Sequence, residues 1–349
     1  MTLLALLVVA AAECAGLVPA LPAPAQLPVQ DGCSSFVIDG TSSMASACGA
    51  TEVYRTVDGT ALGTSHLGVS FLAPRARGFW ASRSDYASKL SFVSVDRDGT
   101  VLGTLDIPLT PGGFERHTLV PDPRGGALIL DVVAPSASVP AANPPWQLAM
   151  RRVTDAMSVV DGPRILAAGS TDPPSEFDVR TSTDGAFLIT ADGWQFPPLR
   201  NDQVAARWFD SGGAPITDWF AALDQAAFGW PMLLLADGSI VVDSRYRRAR
   251  LAKGIGPAPS WLPADLQTVT VLPDRIAIAR WSASPCAMTL EIHAPSGALC
   301  GSFTFPLTAQ AGLCSQGVLS VAREGTLTLR EFLQPPPEVS VWPRLLAPP

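Results

Sequence analysis

Lysine is almost missing from this 349-residue chain: Lys89 and Lys253 are the only two. Its 24 Lys and Arg are outnumbered by 31 Asp and Glu, giving a formal net charge of −7. Nucleic acid is a poor partner for such a chain, because neutralising phosphates needs clustered basic side chains. Charged residues of either sign make up only 16% against 47% hydrophobic residues, which excludes extended disorder. Histidine is scarce too. His66, His117 and His293 are not at metal-ligand spacing, and no C-x-x-C occurs, so a zinc or thioredoxin-type site has no support. No G-x-S-x-G elbow is present to seat a nucleophilic serine. No stretch sustains a 3.6-residue apolar period, which leaves no long helix.

What the chain does have is turns. Its 33 Pro and 29 Gly fall between short apolar runs rather than in one tract. The distribution fits many short strands. The runs carry a weak echo: VDGTAL at 57–62, DGTVLG at 98–103, DSGGAPI at 210–216 and PSGALC at 295–300. Gly59 and Gly99 are 40 apart, and Gly213, Gly256 and Gly297 follow one another at steps of 43 and 41. Strand-turn-strand content with a period near forty predicts an all-β chain: a single β-propeller of about seven four-stranded antiparallel blades. Six or eight blades are compatible with the same spacing. Blade 3 is the clearest, with strands over 116–120, 127–133, 146–153 and 157–167. Blades 4 and 5 align through Ala206–Arg207 with Ala249–Arg250, and through Trp219 with Trp261. Each of these tryptophans is expected to pack against the next blade. Ring closure is expected between residues near 30–40 and 339–342.

Residues 1–12 (MTLLALLVVAAA) read as a signal peptide. The apolar run is too short to span a bilayer, and Ala10 and Ala12 offer a small-residue cleavage site. Residues 13–31 form a Pro/Ala-rich extended tether, 32–342 the propeller and 343–349 a C-terminal tail. The expected location is therefore exported: periplasmic, outer-membrane-associated or extracellular. A lipid on Cys14 is the single membrane attachment expected, although Glu13 is a poor residue to precede a lipidated cysteine. Export makes disulfides accessible to the six cysteines. Cys33–Cys48 and Cys286–Cys300 are the candidate pairs, with Cys314 free or joined to Cys14.

In four-stranded antiparallel blades the A–B and C–D turns share one face, and the B–C and D–A connections share the other. Here the first set is short and built from Asp, Gly and Ser. The B–C loops are longer and rich in aromatic and arginine residues, the usual anchors of binding patches. The candidate ligand-binding residues on that face are Arg83, Tyr86, Trp194, Arg245, Tyr246, Arg247 and Trp281. No catalytic residue, metal or cofactor is assigned. DRDGTVLGTLD at 96–106 is reminiscent of a calcium loop, but an Asp-Gly hairpin explains it more simply. Asp131 and Asp243 end their B strands in similar places, and with Asp85 and Asp192 are the carboxylates a glycosidase would draw on.

The turn series, with its DGTxLG outer hairpin, resembles the degenerate propeller repeats of exported bacterial proteins over roughly 31–342. The resemblance rests on turn chemistry and implies a fold rather than an activity. The function expected from it is a monomeric, non-enzymatic binding or scaffold protein for a protein, peptide or glycan. The alternatives are a carbohydrate hydrolase or lyase with funnel carboxylates, and a structural envelope protein without a ligand.

Overall fold

The computed structural model describes residues 14, 21–28, 35–38, 43–48, 50–55, 60–65, 71–75, 77–84, 89–108, 114–134, 146–169, 173–174, 177–193, 196, 198–200, 202–223, 232–235, 237–243, 248–252, 254–262, 271–272, 275–310, 313–315, 317–321, 325–331 and 338–346. The signal-peptide reading of 1–12 lies outside them. Among the described residues there are seven four-stranded antiparallel sheets. Six are consecutive stretches of chain whose strands run A to D in order. Blade 1 is Ser35–Ile38, Ser43–Cys48, Ala50–Arg55 and Ala61–Ser65. Blade 2 is Phe71–Arg75, Gly78–Ser84, Lys89–Val95 and Val101–Pro108. Blade 3 is Phe114–Pro121, Ala127–Ala134, Trp146–Val153 and Val159–Gly169. Blade 4 is Phe177–Thr181, Phe187–Asp192, Val204–Phe209 and Phe220–Leu223. Blade 5 is Met232–Leu234, Ile240–Asp243, Arg248–Leu251 and Ile255–Pro257. Blade 6 is Val271–Leu272, Arg275–Ala283, Cys286–His293 and Leu299–Pro306.

Blade 7 closes the ring. Gly317–Val321, Leu327–Glu331 and Glu338–Trp342 supply A to C, and the N-terminal Ala25–Pro28 supplies D, with Ala25 paired to Val341 and Pro28 to Glu338. The C-terminal partner is the expected one. The N-terminal partner lies earlier than expected, because Ser35–Ile38 is already strand A of blade 1. Pro28 is tolerated at the end of this outer strand, where its missing N–H costs no ladder bond. The segment read as a tether is thus partly blade, and Pro22 further binds it by accepting the Trp342 indole N–H at 2.8 Å. The tail also returns: Leu345 and Leu346 are buried in the core between blades 6 and 7.

The core is a series of seams. One apolar cluster joins blades 2 and 3, another 3 and 4, and others 4 and 5, 5 and 6, and 6 and 7. Alternation along each strand assigns its two faces to two seams. In blade 3, Leu128, Leu130 and Val132 meet blade 4, while Ala127 and Ile129 meet blade 2. Both faces are buried, so these strands read as continuous apolar runs rather than alternating ones.

The glycine echo reflects one recurring turn. Gly99, Gly185, Gly213, Gly238 and Gly297 all have φ between 78° and 91°, and each donates its N–H to the carbonyl three residues before it. This is a type I turn finished by a left-handed glycine. Blade 3 lacks the glycine in its C–D turn because Met157 takes the left-handed position (φ 60°), which tucks its thioether into the seam with blade 2. Gly256 joins the period by coincidence, since it lies within strand D of blade 5.

The Ala-Arg alignment of blades 4 and 5 is out by one residue. Counting from turn glycines Gly185 and Gly238, Arg250 is equivalent to Trp208 rather than Arg207. Ala206 and Trp208 meet blade 5, whereas Ala249 and Leu251 point back at blade 4. A one-residue slip exchanges the faces of a strand, which hydrophobic composition alone does not reveal.

Both disulfides among the described residues differ from the expected pairing. Cys14 bonds Cys300, and Cys286 bonds Cys314. Cys286 lies eight residues before the Ala294 turn and Cys300 only two after Ala298. They sit at opposite ends of the C–D ladder of blade 6, about 20 Å apart at 3.3 Å per residue. Cys286 instead meets the hairpin Ala309–Gln310/Leu313–Cys314 that follows blade 6. A sulfur bonded to Cys300 also leaves Cys14 without a thiol for a thioether lipid. The Cys33–Cys48 expectation lies outside the described residues. Disulfides persist in oxidising, exported environments, and the two bridges imply one here.

Candidate binding face

Five blades send B–C connections of four or more residues to one face: 85–88 in blade 2, 135–145 in blade 3, 193–203 in blade 4, 244–247 in blade 5 and 332–337 in blade 7. Blades 1 and 6 do not. Their B and C strands are joined by one and two residues respectively, with Cys48 paired to Ala50 and Ala283 to Cys286. The two longest connections, 135–145 and 193–203, belong to the neighbouring blades 3 and 4.

The blade 4 connection shows how such a loop is held. Gly193 donates its N–H to Gln203 at 2.7 Å, and Phe196 and Leu199 continue as short turns. Phe196 is the anchor. It is buried, stacks on Trp219 at 3.8 Å between ring centroids and meets the Trp146 edge at 5.8 Å. Arg207 lies over Phe209 and Trp219 at 5.5 and 5.9 Å. Trp219 thus packs within its own blade at the seam with blade 3, not on blade 5 as its sequence position suggested. Trp261 does reach the next blade, stacking on His293 at 5.2 Å. Arg200 stays exposed beside Asp202.

Of the seven candidate ligand residues, Tyr86, Trp194, Arg245, Tyr246 and Arg247 lie outside the described residues. Arg83 belongs to strand B of blade 2, with its side chain likewise outside them. Trp281 is half-buried in strand B of blade 6, donates its indole N–H to the Ser315 carbonyl at 3.1 Å and packs on the blade 6–7 core. It reads as a packing residue in this arrangement.

Asp131 does not face a funnel. It shares the side of the blade 3 sheet that carries Ile129, so it faces the seam with blade 2, where it is buried and ion-paired with Arg151. His117 is its direct partner across the A–B ladder and stands edge-on to Phe92. The side chain of Asp243 and all of Asp85 lie outside the described residues. In the 96–106 segment, Asp98 accepts the Thr100 N–H at 2.9 Å and Asp106 takes Lys89 and Ser91 at 2.6 Å each. The hydrogen bonds from Thr100 lower the proton affinity of Asp98. This is the Asp-Gly hairpin expected.

The opposite, short-turn face carries an arrangement that sequence reading missed. Asp122, in the A–B turn of blade 3, accepts the backbone N–H of Arg124 at 3.0 Å and its guanidinium at 3.0 and 2.7 Å, with Arg152 at 3.4 Å. Burial pushes the Asp122 carboxyl up, but the Arg124 hydrogen bonds and the two arginine charges prevail and hold it below its ordinary value. Arg124 and Arg152 both donate to the Ser211 carbonyl, and Arg164 donates to Gly212. Three guanidiniums from blade 3 thus grip the C–D turn of blade 4. Its carbonyls are available because its own amides turn inward to Asp210. The partners come from a turn, two separate strands and the next blade, so no local spacing announces them.

This topology defines the class: a β-propeller. No protein-family model and no curated protein matches the sequence. Among solved structures the chain is similar to puromycin hydrolase (17% identity, TM-score 0.48), over 92% of this chain and 51% of that one. It is also similar to the tricorn protease (11% identity, TM-score 0.49), over 94% of this chain and 36% of that one. The chain spans about half or less of the length of these structures. At such identities the sheet topology of the chain itself carries the assignment.

Proposed function

We propose that this propeller is an exported binding or scaffold protein that takes a protein, peptide or glycan ligand on its B–C loop face. The observation that carries the proposal is the asymmetry of the two faces. Short left-handed turns and the Asp122–arginine latch close one face. The long connections of blades 3 and 4, with the shorter ones of blades 2, 5 and 7, lie on the other, above a rigid sheet floor. Tyr86, Trp194, Arg245, Tyr246 and Arg247 lie in those connections by sequence and supply amphipathic and guanidinium groups suited to ligand contact. A hydrolytic funnel is the weaker reading, because Asp131 is committed to Arg151.

Peptide and glycan arrays probed with the wild type and with Trp194→Ala and Tyr246→Ala/Arg247→Ala variants test this. The expected result is a ligand class whose signal falls at least about tenfold in the variants, with melting temperature unchanged. Binding indifferent to all three substitutions, or turnover of an arrayed glycan, overturns it.

A further inference from the structure

The N-terminal segment straps the seam between the last two blades. Cys14 is bonded to Cys300 at the start of strand D of blade 6. Leu21 packs against the blade 6–7 core, the Pro22 carbonyl takes the Trp342 indole N–H, and Ala25–Pro28 lies along strand C of blade 7. From Pro28 the chain passes on to blade 1, whose strand A begins at Ser35. Among the described sheets, this D strand alone is separated in sequence from its strands A to C.

The strand's own contacts hold it weakly. It has four residues, and Pro22, Pro24 and Pro28 in and before it have no N–H to donate. Pro22, Ala23 and Gln26 are exposed, and Leu21, Pro24 and Ala25 are only half-buried. Gln26 and Ser340 add two exposed side-chain hydrogen bonds. The strand it covers is different, since Val339, Val341 and Trp342 are buried. A segment with so little buried area opens locally at low cost. The bond to Cys300 removes that freedom. It joins positions 286 apart in sequence, against 28 for Cys286–Cys314. Cys14 also lies beyond residues 1–12, so removal of a signal peptide leaves it in place. We infer that Cys14–Cys300 is a redox-controlled clasp on ring closure. Bonded, it holds strand D of blade 7; reduced, it lets that strand leave the edge of Glu338–Trp342. A dithiol opens it. One reductant thiolate attacks a bridge sulfur and expels the other cysteine as a thiolate, which takes up a proton. The second reductant thiol then displaces the mixed disulfide. The bridge gains two electrons and two protons, and the dithiol becomes a disulfide. The reverse exchange closes the clasp, so the ring is completed where thiols are oxidised.

Hydrogen exchange of the oxidised full chain and of a Cys14→Ser/Cys300→Ser variant tests this. The expected result is exchange at least about tenfold faster at 25–28 and 338–342 in the variant, with Gly317–Val321 and blades 2 to 5 unchanged. A Cys286→Ser/Cys314→Ser variant keeps the clasp and removes the other bridge. It is expected to protect 338–342 until dithiothreitol is added and to lose that protection afterwards, which keeps the test readable should the first variant fold poorly. Unchanged exchange at 338–342 once the clasp is reduced overturns the inference. So does faster exchange spread evenly over all the blades, which makes the bond a staple of the whole fold rather than a clasp on one strand.

Discussion

Asp122→Asn isolates the charge on which the blade 3–blade 4 latch depends. The amide keeps the shape of the carboxyl but loses its charge. It therefore weakens the two guanidinium contacts of Arg124 and the ion pair with Arg152. A hydrogen bond to a charged group contributes about 1.5–3 kcal/mol. The Arg124 side chain is 36% exposed, so its share is discounted for solvent screening, while Arg152 at 19% counts more fully. The expected loss is about 2–3 kcal/mol at pH 7. With an unfolding entropy of about 2.1 cal/mol/K per residue over some 320 residues, the melting temperature falls by about 3–4.5 °C. The pH dependence follows from the lowered carboxyl. A group whose folded value lies below its unfolded value of about 3.9 stabilises fully above that unfolded value. The stabilisation is lost as pH falls through the folded one. The gap between wild type and variant is therefore widest at pH 6–7 and closes below about pH 4. Thermal melts from pH 7 to pH 2.5 check both parts. A shift under about 1 °C at pH 7, or a gap of constant width down to pH 3, refutes the reasoning.

Peptide mapping without reduction is expected to recover Cys14–Cys300 and Cys286–Cys314 links, and a Cys286–Cys300 peptide contradicts the blade 6 register. Gly297→Ala is expected to destabilise by about 2–4 kcal/mol. A methyl there meets Trp261 at 2.3 Å and the backbone sits at φ 91°, so both strain and a displaced aromatic pair contribute. Chemical denaturation measures it, and the Trp261 fluorescence should shift with it. Phe196→Ala is expected to cost about 3 kcal/mol through the cavity left between Trp146 and Trp219. Hydrogen exchange should then show earlier opening of 193–203 than of strand B.

The blade architecture was legible because turn chemistry is local. An Asp-Gly step that forces a left-handed residue says where a hairpin reverses, whatever lies around it. The same locality explains what was not legible. The face of Arg207 depends on a one-residue register, and the pairing of Cys286 depends on a hairpin inserted after blade 6. Met157 hid one turn entirely, since its burial in the seam outweighs the left-handed cost of about 1–2 kcal/mol. The ligand candidates were chosen for residue type on a topological face. Trp281 shows the weakness of that choice: it lies on the right strand but in a blade whose B–C connection has only two residues.

The two faces also differ in how freely they can change. On the short-turn face the Ser211 and Gly212 carbonyls are committed across a seam to blade 3, so a substitution there disturbs two blades at once. The blade 4 B–C loop is held at its base by the buried Phe196, which packs on Trp219 of its own blade and Trp146 of blade 3. A new ligand specificity can arise beyond such an anchor without cost to the ring. Exchanging 244–247 for the corresponding loop of another propeller should leave the melting temperature within about 2 °C, because Asp243 and Arg248 already pair beneath it. A loss above about 5 °C in that exchange would place the loop within the scaffold and remove the physical basis for assigning recognition to this face.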